Sequence, residues 1–386
     1  MTWTSLVASL ALTAAISGVA NAAATIPAKH LCPDGKNSAS NPKCCALFPV
    51  LEDIQANMFG DSGCGDAAHA ILRVAFHDAI GFSQHNPKFG TGADGSMFIF
   101  GETEIGYDAN LGIADAFNLE APFIEKHRGA IGVGDFIQFA AAVGLTKCPG
   151  VLQPPFLLGR VDAKFPAPDG TVPEAFQSAQ TILARMADAG LTAADTVALL
   201  ASHSIAGADD VDPDAAGVPF DSTPSLFDTQ FYLETLLIGN KTLGGSQNKG
   251  EEDTPIKGEL RLQSDFALAR DPATACLWQG NVNNQAKMAQ AFQKSFYKMQ
   301  SLGQNVAKMT DCSEVIPAAA KLSAAQAQAF FPPTLTSKDV QQVCKSPFPH
   351  LPTKPGPAES IQSIVQDPKT QGSCDDNGTD CILPPA

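Results

Sequence analysis

Arg73 and His77 stand four residues apart in a run rich in Ala, Ile, Leu and Val. On a helix they share one face, a single turn apart. A guanidinium and an imidazole on an apolar helix are costly to bury unless something uses them. An imidazole near its ordinary pKa can take and return a proton, and a fixed guanidinium stabilises developing negative charge without titrating. Taken on this helix alone, the plainer reading is a surface stripe with a satisfied histidine. Further along, Thr91-Gly92-Ala93-Asp94-Gly95-Ser96 offers hard oxygen donors that suit Ca²⁺, with Asp78 able to join them; a Gly-rich turn is the alternative. Ser202-His203-Ser204 closes an apolar helix, and Asp221, Thr223 and Asp228 follow as a second set of spaced oxygen donors. A lone helical histidine is usually a core residue, but two such loops, each beside a helical histidine, point to a built site.

The elements that must position these groups read as helices. Amphipathic or apolar helical patterns cover residues 46–58, 66–80, 134–145, 174–189 and 284–303. Thr192-x-x-Asp195 reads as a capping box opening a helix to about Ala206. Alternating strand patterns are scarce, so the expected class is mainly α with long loops. From Phe331 onward proline density forbids long helices and predicts an extended tail draped over the globule. Gly60-Asp61-Ser62-Gly63 resembles a serine-protease nucleophile segment. That chemistry needs His and Asp partners, and only His30 lies upstream in helical surroundings. His69 and His77 lack the spacing and Glu of zinc proteases.

The whole chain has 386 residues, with 25 Lys plus Arg against 40 Asp plus Glu, a formal charge of −15 that argues against a generic nucleic-acid binder. With 44% apolar residues a large core is expected. Residues 5–20 are apolar with small residues, and Ala20-Asn21-Ala22 fits export-signal cleavage, so residues 1–22 read as a signal peptide and the chain as secreted. The 10 cysteines suit an oxidising compartment, with their pairing left open by arithmetic. The sequons Asn240-Lys241-Thr242 and Asn377-Gly378-Thr379 agree with a secreted surface.

The combination Arg73-x-x-Phe76-His77-Asp78, Gly92-x-Asp94-Gly95-Ser96, Ser202-His203-Ser204, Phe220-Asp221-Ser222-Thr223-Pro224, Arg261-Leu262-Gln263-Ser264-Asp265 and Asp311-Cys312-Ser313-Glu314-Val315-Ile316-Pro317 resembles the secreted fungal class II haem peroxidases. These comprise the manganese, lignin, versatile and generic peroxidases. The likeness runs from about Cys32 to the C-terminus. It implies a two-lobed helical fold with one haem b between distal and proximal helices and two Ca²⁺ ions. The distal lobe would cover about 32–165, the proximal lobe 166–330 and the tail 331–386 of a single monomeric domain. By the same resemblance His203 is the iron ligand and Asp265 its hydrogen-bond partner. His77 is then the distal acid/base, Arg73 the distal cation, Phe76 and Phe220 the haem-packing rings, and Glu104 with Asn110 the pair that sets the His77 tautomer. Asp78, Gly92, Asp94 and Ser96 correspond to the distal Ca²⁺ ligands, and Ser204, Asp221, Thr223, Leu226 (by its carbonyl) and Asp228 to the proximal ones. The implied bridges are Cys32–Cys45, Cys44–Cys312, Cys64–Cys148, Cys276–Cys344 and Cys374–Cys381.

The reducing donor is where such proteins differ. Manganese-oxidising members use three acids beside a haem propionate; the matching positions are Asp66, Ala70 and Asp209, so one acid is missing. Lignin and versatile members carry an exposed Trp where this chain has Ala198. Trp278 reads as structural, and Tyr107, Tyr232 and Tyr297 as ordinary packing. The resemblance therefore implies a generic peroxidase that uses hydrogen peroxide to oxidise small phenolic or aromatic donors at the haem edge. An atypical manganese peroxidase, with Mn²⁺ held weakly by Asp66 and Asp209, is the second reading. A secreted haem-binding or Ca²⁺-stabilised protein without turnover is the third.

Overall fold

A computed structural model describes residues 29–86, 92–212, 214, 216–239 and 248–364. The signal segment, both sequons, Thr91 and the Cys374–Cys381 pair lie outside the described residues. Twelve α-helices are present among those described. The first six are α1 (Leu47–Asp53), α2 (Asp66–Ala79), α3 (Ser96–Ile99), α4 (Gly101–Glu104), α5 (Ala114–His127) and α6 (Val133–Leu145). The others are α7 (Ala179–Asp188), α8 (Ala193–Leu199), α9 (Gln230–Glu234), α10 (Gln263–Arg270), α11 (Ala275–Gln279) and α12 (Gln285–Met299). Among the described residues, strand structure comprises four two-residue antiparallel pairs, for instance Gly207–Ala208 with Val218–Pro219, and two isolated bridges.

Helix α6 is buried on every side, which marks it as a central helix rather than an amphipathic surface one. It packs against α2, whose Ala67, Ala68, Ile71, Leu72, Val74 and Ala75 are buried. A Cβ on Gly144 would stand 3.1 Å from the Phe59 ring and 3.6 Å from the Ala68 Cα, so glycine permits this close approach. With one side of α2 buried against α6, Arg73, Phe76 and His77 are left to line a cavity.

Several helices begin or end differently from the periodic expectation. Helix α7 starts at Ala179 rather than near 174, because the Ser178 side chain accepts from the Thr181 amide and caps the helix there. The pattern at 46–58 is α-helical only to Asp53, then widens into a π-helix over Ile54–Phe59. The capping box forms as expected, with Thr192 and Asp195 bonding reciprocally. Beyond Leu199 the helix tightens to 3₁₀ over Leu200–Ile205, so His203 rides on a narrower turn. Asp195 also accepts from Ser295 and Lys298, tying α8 to α12. Burial alone would raise its pKa, but these partners together with Thr192 hold it at about 2.

Four of the implied disulfides are formed: Cys32–Cys45, Cys44–Cys312, Cys64–Cys148 and Cys276–Cys344. Over the described residues 331–364 the only helical segment is the 3₁₀ turn Ser337–Asp339. Phe331 pairs with Pro352 and Lys354 through its backbone, and Ile364 donates to the Gly217 carbonyl at 2.7 Å.

The Arg160 guanidinium, buried, bonds Asp135 of α6 at 2.9 Å and the Gln300 carbonyl just past α12 at 2.7 Å. Burial pushes the Asp135 carboxyl up and the Arg160 guanidinium down, and each is opposed by the charge of the other. Removing one member leaves an uncompensated buried charge. Arg160→Ala should therefore cost about 3–5 kcal/mol, read as a lowered unfolding midpoint at constant pH.

Candidate active site

A cavity of about 520 Å³ is lined by Arg73, Phe76 and His77 of α2, by His203 and by Asp265 of α10. Phe220, Leu262, Leu268 and Met299 add apolar wall. That volume lies within the range of pockets that enclose a cofactor or ligand.

On the α2 side, His77 Nδ1 lies 2.7 Å from Asn110 Oδ1. The Asn110 amide donates from Nδ2 to the Glu104 carbonyl at 2.7 Å, which orients Oδ1 toward the ring. Nδ1 must then carry the proton, leaving Nε2 as the basic nitrogen. Glu104 acts on this pair through its main chain. Its carboxyl accepts instead from the Ala167 amide, and burial pushes it up to about 7. Burial, and next the Arg73 charge, depress His77 to about 3, so the ring is a neutral base over the whole neutral range. Arg73 donates to the Leu111 carbonyl at 2.7 Å. Burial lowers its pKa, and the Asp210 and Asp209 carboxylates oppose that.

His203 Nδ1 lies 2.9 Å from Asp265 Oδ2. Asp265 is buried, and its Oδ1 has no protein partner. The His203 ring packs against Phe220 and edge-on against Phe231, with centroids 5.1 and 5.5 Å away. This histidine is oriented from one side by a carboxylate and caged by rings, and its Nε2 remains for a ligand.

The acidic donors of both candidate cation loops are buried. Asp78, Asp94 and Ser96 are buried, and Asp78 Oδ2 accepts from the Asp94 and Gly95 amides at 3.1 Å each. Burial and then Asp94 push the Asp78 carboxyl well up. Gly92 has φ +91, and a Cβ there would lie 2.3 Å from the Leu302 carbonyl oxygen. Ser204 and Asp221 are fully buried, and Asp221 Oδ2 has no protein partner. Asp228 accepts from Thr223 Oγ1 and the Gln230 amide and is pushed up to about 7 chiefly by burial. Leu226 closes the turn with its amide on the Thr223 carbonyl. Glu234 of α9 accepts from the Ser222 amide and hydroxyl, each at 2.7 Å, and so anchors the loop. Crowded hard oxygens with an orphaned buried carboxylate oxygen suit a divalent cation of the Ca²⁺ type.

Asp66, Ala70 and Asp209 all line the cavity. Four acids that spacing did not single out join them, Asp108, Asp115, Glu174 and Asp210. Burial, followed by Asp209, Asp66 and Asp210, raises the Asp115 pKa. Only long-range folding brings α5 to this rim, so no sequence signal announced it. Trp278 is fully buried, its Nε1 donating to the Tyr232 carbonyl, and Ala198 is buried too. The Ser62 hydroxyl of the protease-like segment is engaged by the Phe59 carbonyl.

Residues 50–284 match the peroxidase family, and residues 287–366 match the fungal peroxidase extension region. Ligninase H2 of Phanerodontia chrysosporium is 48% identical over 91% of this chain and 95% of its own length. Manganese peroxidase 3 of Phlebia radiata is 48% identical, covering 92% and 98%. Versatile peroxidase VPS1 of Pleurotus eryngii is 48% identical, covering 86% and 90%. The chain belongs to the fungal class II peroxidases. It is accordingly a hydrogen-peroxide-dependent oxidoreductase of a family that holds haem and calcium. Among the described residues no helix is long and apolar enough to cross a membrane.

The neutral form of His77 is required to accept a proton, and it persists above a pKa of about 3. Peroxide activation should therefore hold down to roughly pH 3 and fall below it. Arg73 lowers that pKa, so Arg73→Leu should move the acidic limb to higher pH, measured by stopped-flow rates across pH 2.5–6 at constant ionic strength.

Proposed function

We propose that this chain is a generic secreted peroxidase carrying one haem b and two Ca²⁺ ions, and that it oxidises small phenolic donors at the haem edge. The observation that carries this reading is the pair of imidazoles facing one cavity, each held at Nδ1 by a separate partner. His203 would ligate iron through Nε2. Asp265, accepting the Nδ1 proton, adds imidazolate character to that ligand. Bound haem would supply the two-electron reduction of peroxide and the one-electron oxidation of donors. His77 Nε2 takes the proton of incoming peroxide and returns it to the departing oxygen. Arg73, kept cationic beside Asp209 and Asp210, stabilises the charge that builds on that oxygen. Phe76 and Phe220 wall the cavity and exclude water. Each donor phenol gives up an electron and a proton and leaves as a radical, so one peroxide consumes two donors.

Asp78, Gly92, Asp94 and Ser96 would hold one Ca²⁺, and Ser204, Asp221, Thr223, Leu226 and Asp228 the other. Asp78 directly follows His77 and Ser204 directly follows His203, so ion loss should loosen both ring positions. Chelator treatment of the holoprotein should perturb the haem absorption spectrum, and restored Ca²⁺ should reverse the change. An unmoved spectrum after verified Ca²⁺ removal would argue against these assignments.

A weaker manganese activity is supported by the four-acid rim of Asp66, Asp115, Asp209 and Asp210. Ala70 withholds the third family ligand, and a hard divalent ion loses affinity with each missing carboxylate. Steady-state kinetics at fixed peroxide should favour a small phenol over Mn²⁺. Ala70→Glu should lower KM for Mn²⁺ by about tenfold or more while leaving phenol turnover near its starting value. Saturable Mn²⁺ oxidation by the unmodified protein that outpaces phenol would reverse the order of the two readings.

A further inference from the structure

We propose that Cys64, Cys148 and His69 form a redox-gated site for a zinc-type cation. As thiols the two cysteines hold the ion together with His69, and as a disulfide they release it. The site lies outside the calcium and manganese donor sets described above and does not depend on the haem reading.

His69 lines the cavity beside His77 and His203, yet the chemistry above gives it no task. It sits on α2, one turn before Arg73. Its Nε2 lies 3.7 Å from Cys64 Sγ, and its Nδ1 is buried without a hydrogen-bond partner among the described residues. Sulfur is a weak hydrogen-bond acceptor, so the ring is poorly matched to its surroundings as they stand. The ligating atoms of Cys64, Cys148 and His69 all lie within 4.8 Å of one another. Burial depresses the His69 pKa to about 4, which keeps the ring in the neutral form that ligates metals.

A tetrahedral zinc ion has Zn–S of about 2.3 Å and Zn–N of about 2.1 Å, which sets nitrogen and sulfur ligands about 3.6 Å apart and two sulfurs about 3.8 Å apart. His69 and Cys64 already stand at the first spacing, so only the two sulfurs, bonded to each other in the structure, must part. Thiolate with imidazole selects a zinc-type ion over the hard Ca²⁺ that oxygen loops suit. Three protein ligands leave a fourth position for water. Cys64 directly precedes the Gly65 cap of α2, and Cys148 follows the end of α6, so the ion staples the same two helices as the bridge. Hydrogen peroxide, the oxidant of this family, closes the bridge. The two thiolates give two electrons to the O–O bond, the S–S bond forms, two protons from solvent complete two waters, and Zn²⁺ departs. A phosphine reverses the bridge by taking oxygen from water as its oxide and leaving two thiols.

The test compares the full holoprotein with its His69→Ala and His69→Gln variants, the second keeping most of the side-chain bulk. Limiting phosphine opens the bridge, alkylation with mass spectrometry identifies the freed cysteines, and near-ultraviolet circular dichroism checks the fold. Phosphine is removed, Zn²⁺ is added, and bound zinc is counted after gel filtration. The opened protein should hold one zinc per chain beyond the bridged form, with two sulfurs at about 2.3 Å and one nitrogen at about 2.1 Å by zinc-edge X-ray absorption. Both His69 variants should bind it at least about tenfold more weakly. Peroxide should then release the zinc and restore the Cys64–Cys148 bridge. No extra zinc on the opened protein, undiminished affinity in the His69 variants, zinc held by oxygen alone, or a bridge that opens only with loss of the fold would each overturn the proposal.

Discussion

Two hydrogen bonds made at Nδ1, His77 to Asn110 and His203 to Asp265, govern the chemistry open to this cavity. Each leaves Nε2 as the unanchored nitrogen, and each anchor is of a different kind. An amide oxygen orients His77 without adding charge, which suits a ring that must stay a weak, neutral base. A carboxylate orients His203 and enriches it in electron density, which would suit the metal ligand proposed for that ring. Exchanging the two partners would reverse those properties while leaving both rings in position. Much of the surrounding structure keeps these anchors in place: Glu104 holds the Asn110 amide, and the strand Arg261–Leu262 leads directly into α10 and Asp265.

Burial imposes the second constraint. Asp78, Asp94, Asp221 and Asp228 are carboxylates withdrawn from water, and the raised pKa values of Asp78, Asp221 and Asp228, where burial dominates, are the signature of charge lacking compensation. Bound cations would convert that cost into attraction and couple both loops to the histidines beside them. Arg160 with Asp135 offsets buried charge by a direct pair instead, and in doing so joins α6 to the end of α12.

Much of the site could be read locally. The Arg73–His77 spacing, the Thr192–Asp195 capping box and the oxygen-rich loops at 92–96 and 221–228 depend on neighbours within a few residues. Helical period, cap chemistry and loop composition suffice to recognise them. Helix ends were less legible. The start of α7 hinged on whether Ser178 capped or continued the helix, and the π-helix over Ile54–Phe59 leaves no mark on apolar periodicity.

The sequence by itself determined the mainly helical class, the two histidine-bearing segments and, through motif resemblance, the peroxidase reading with its disulfide partners. Tertiary structure decided what long loops bring together: Asp265 beneath a histidine 62 residues earlier, Asp115 beside Asp66 and Asp209, and Glu234 on Ser222. It also decided that Trp278 and Tyr232 face the core while Tyr297 meets water. Residue identity sets what a side chain can do, but burial and distant partners set its protonation and access, and those exist only once the chain has closed on itself.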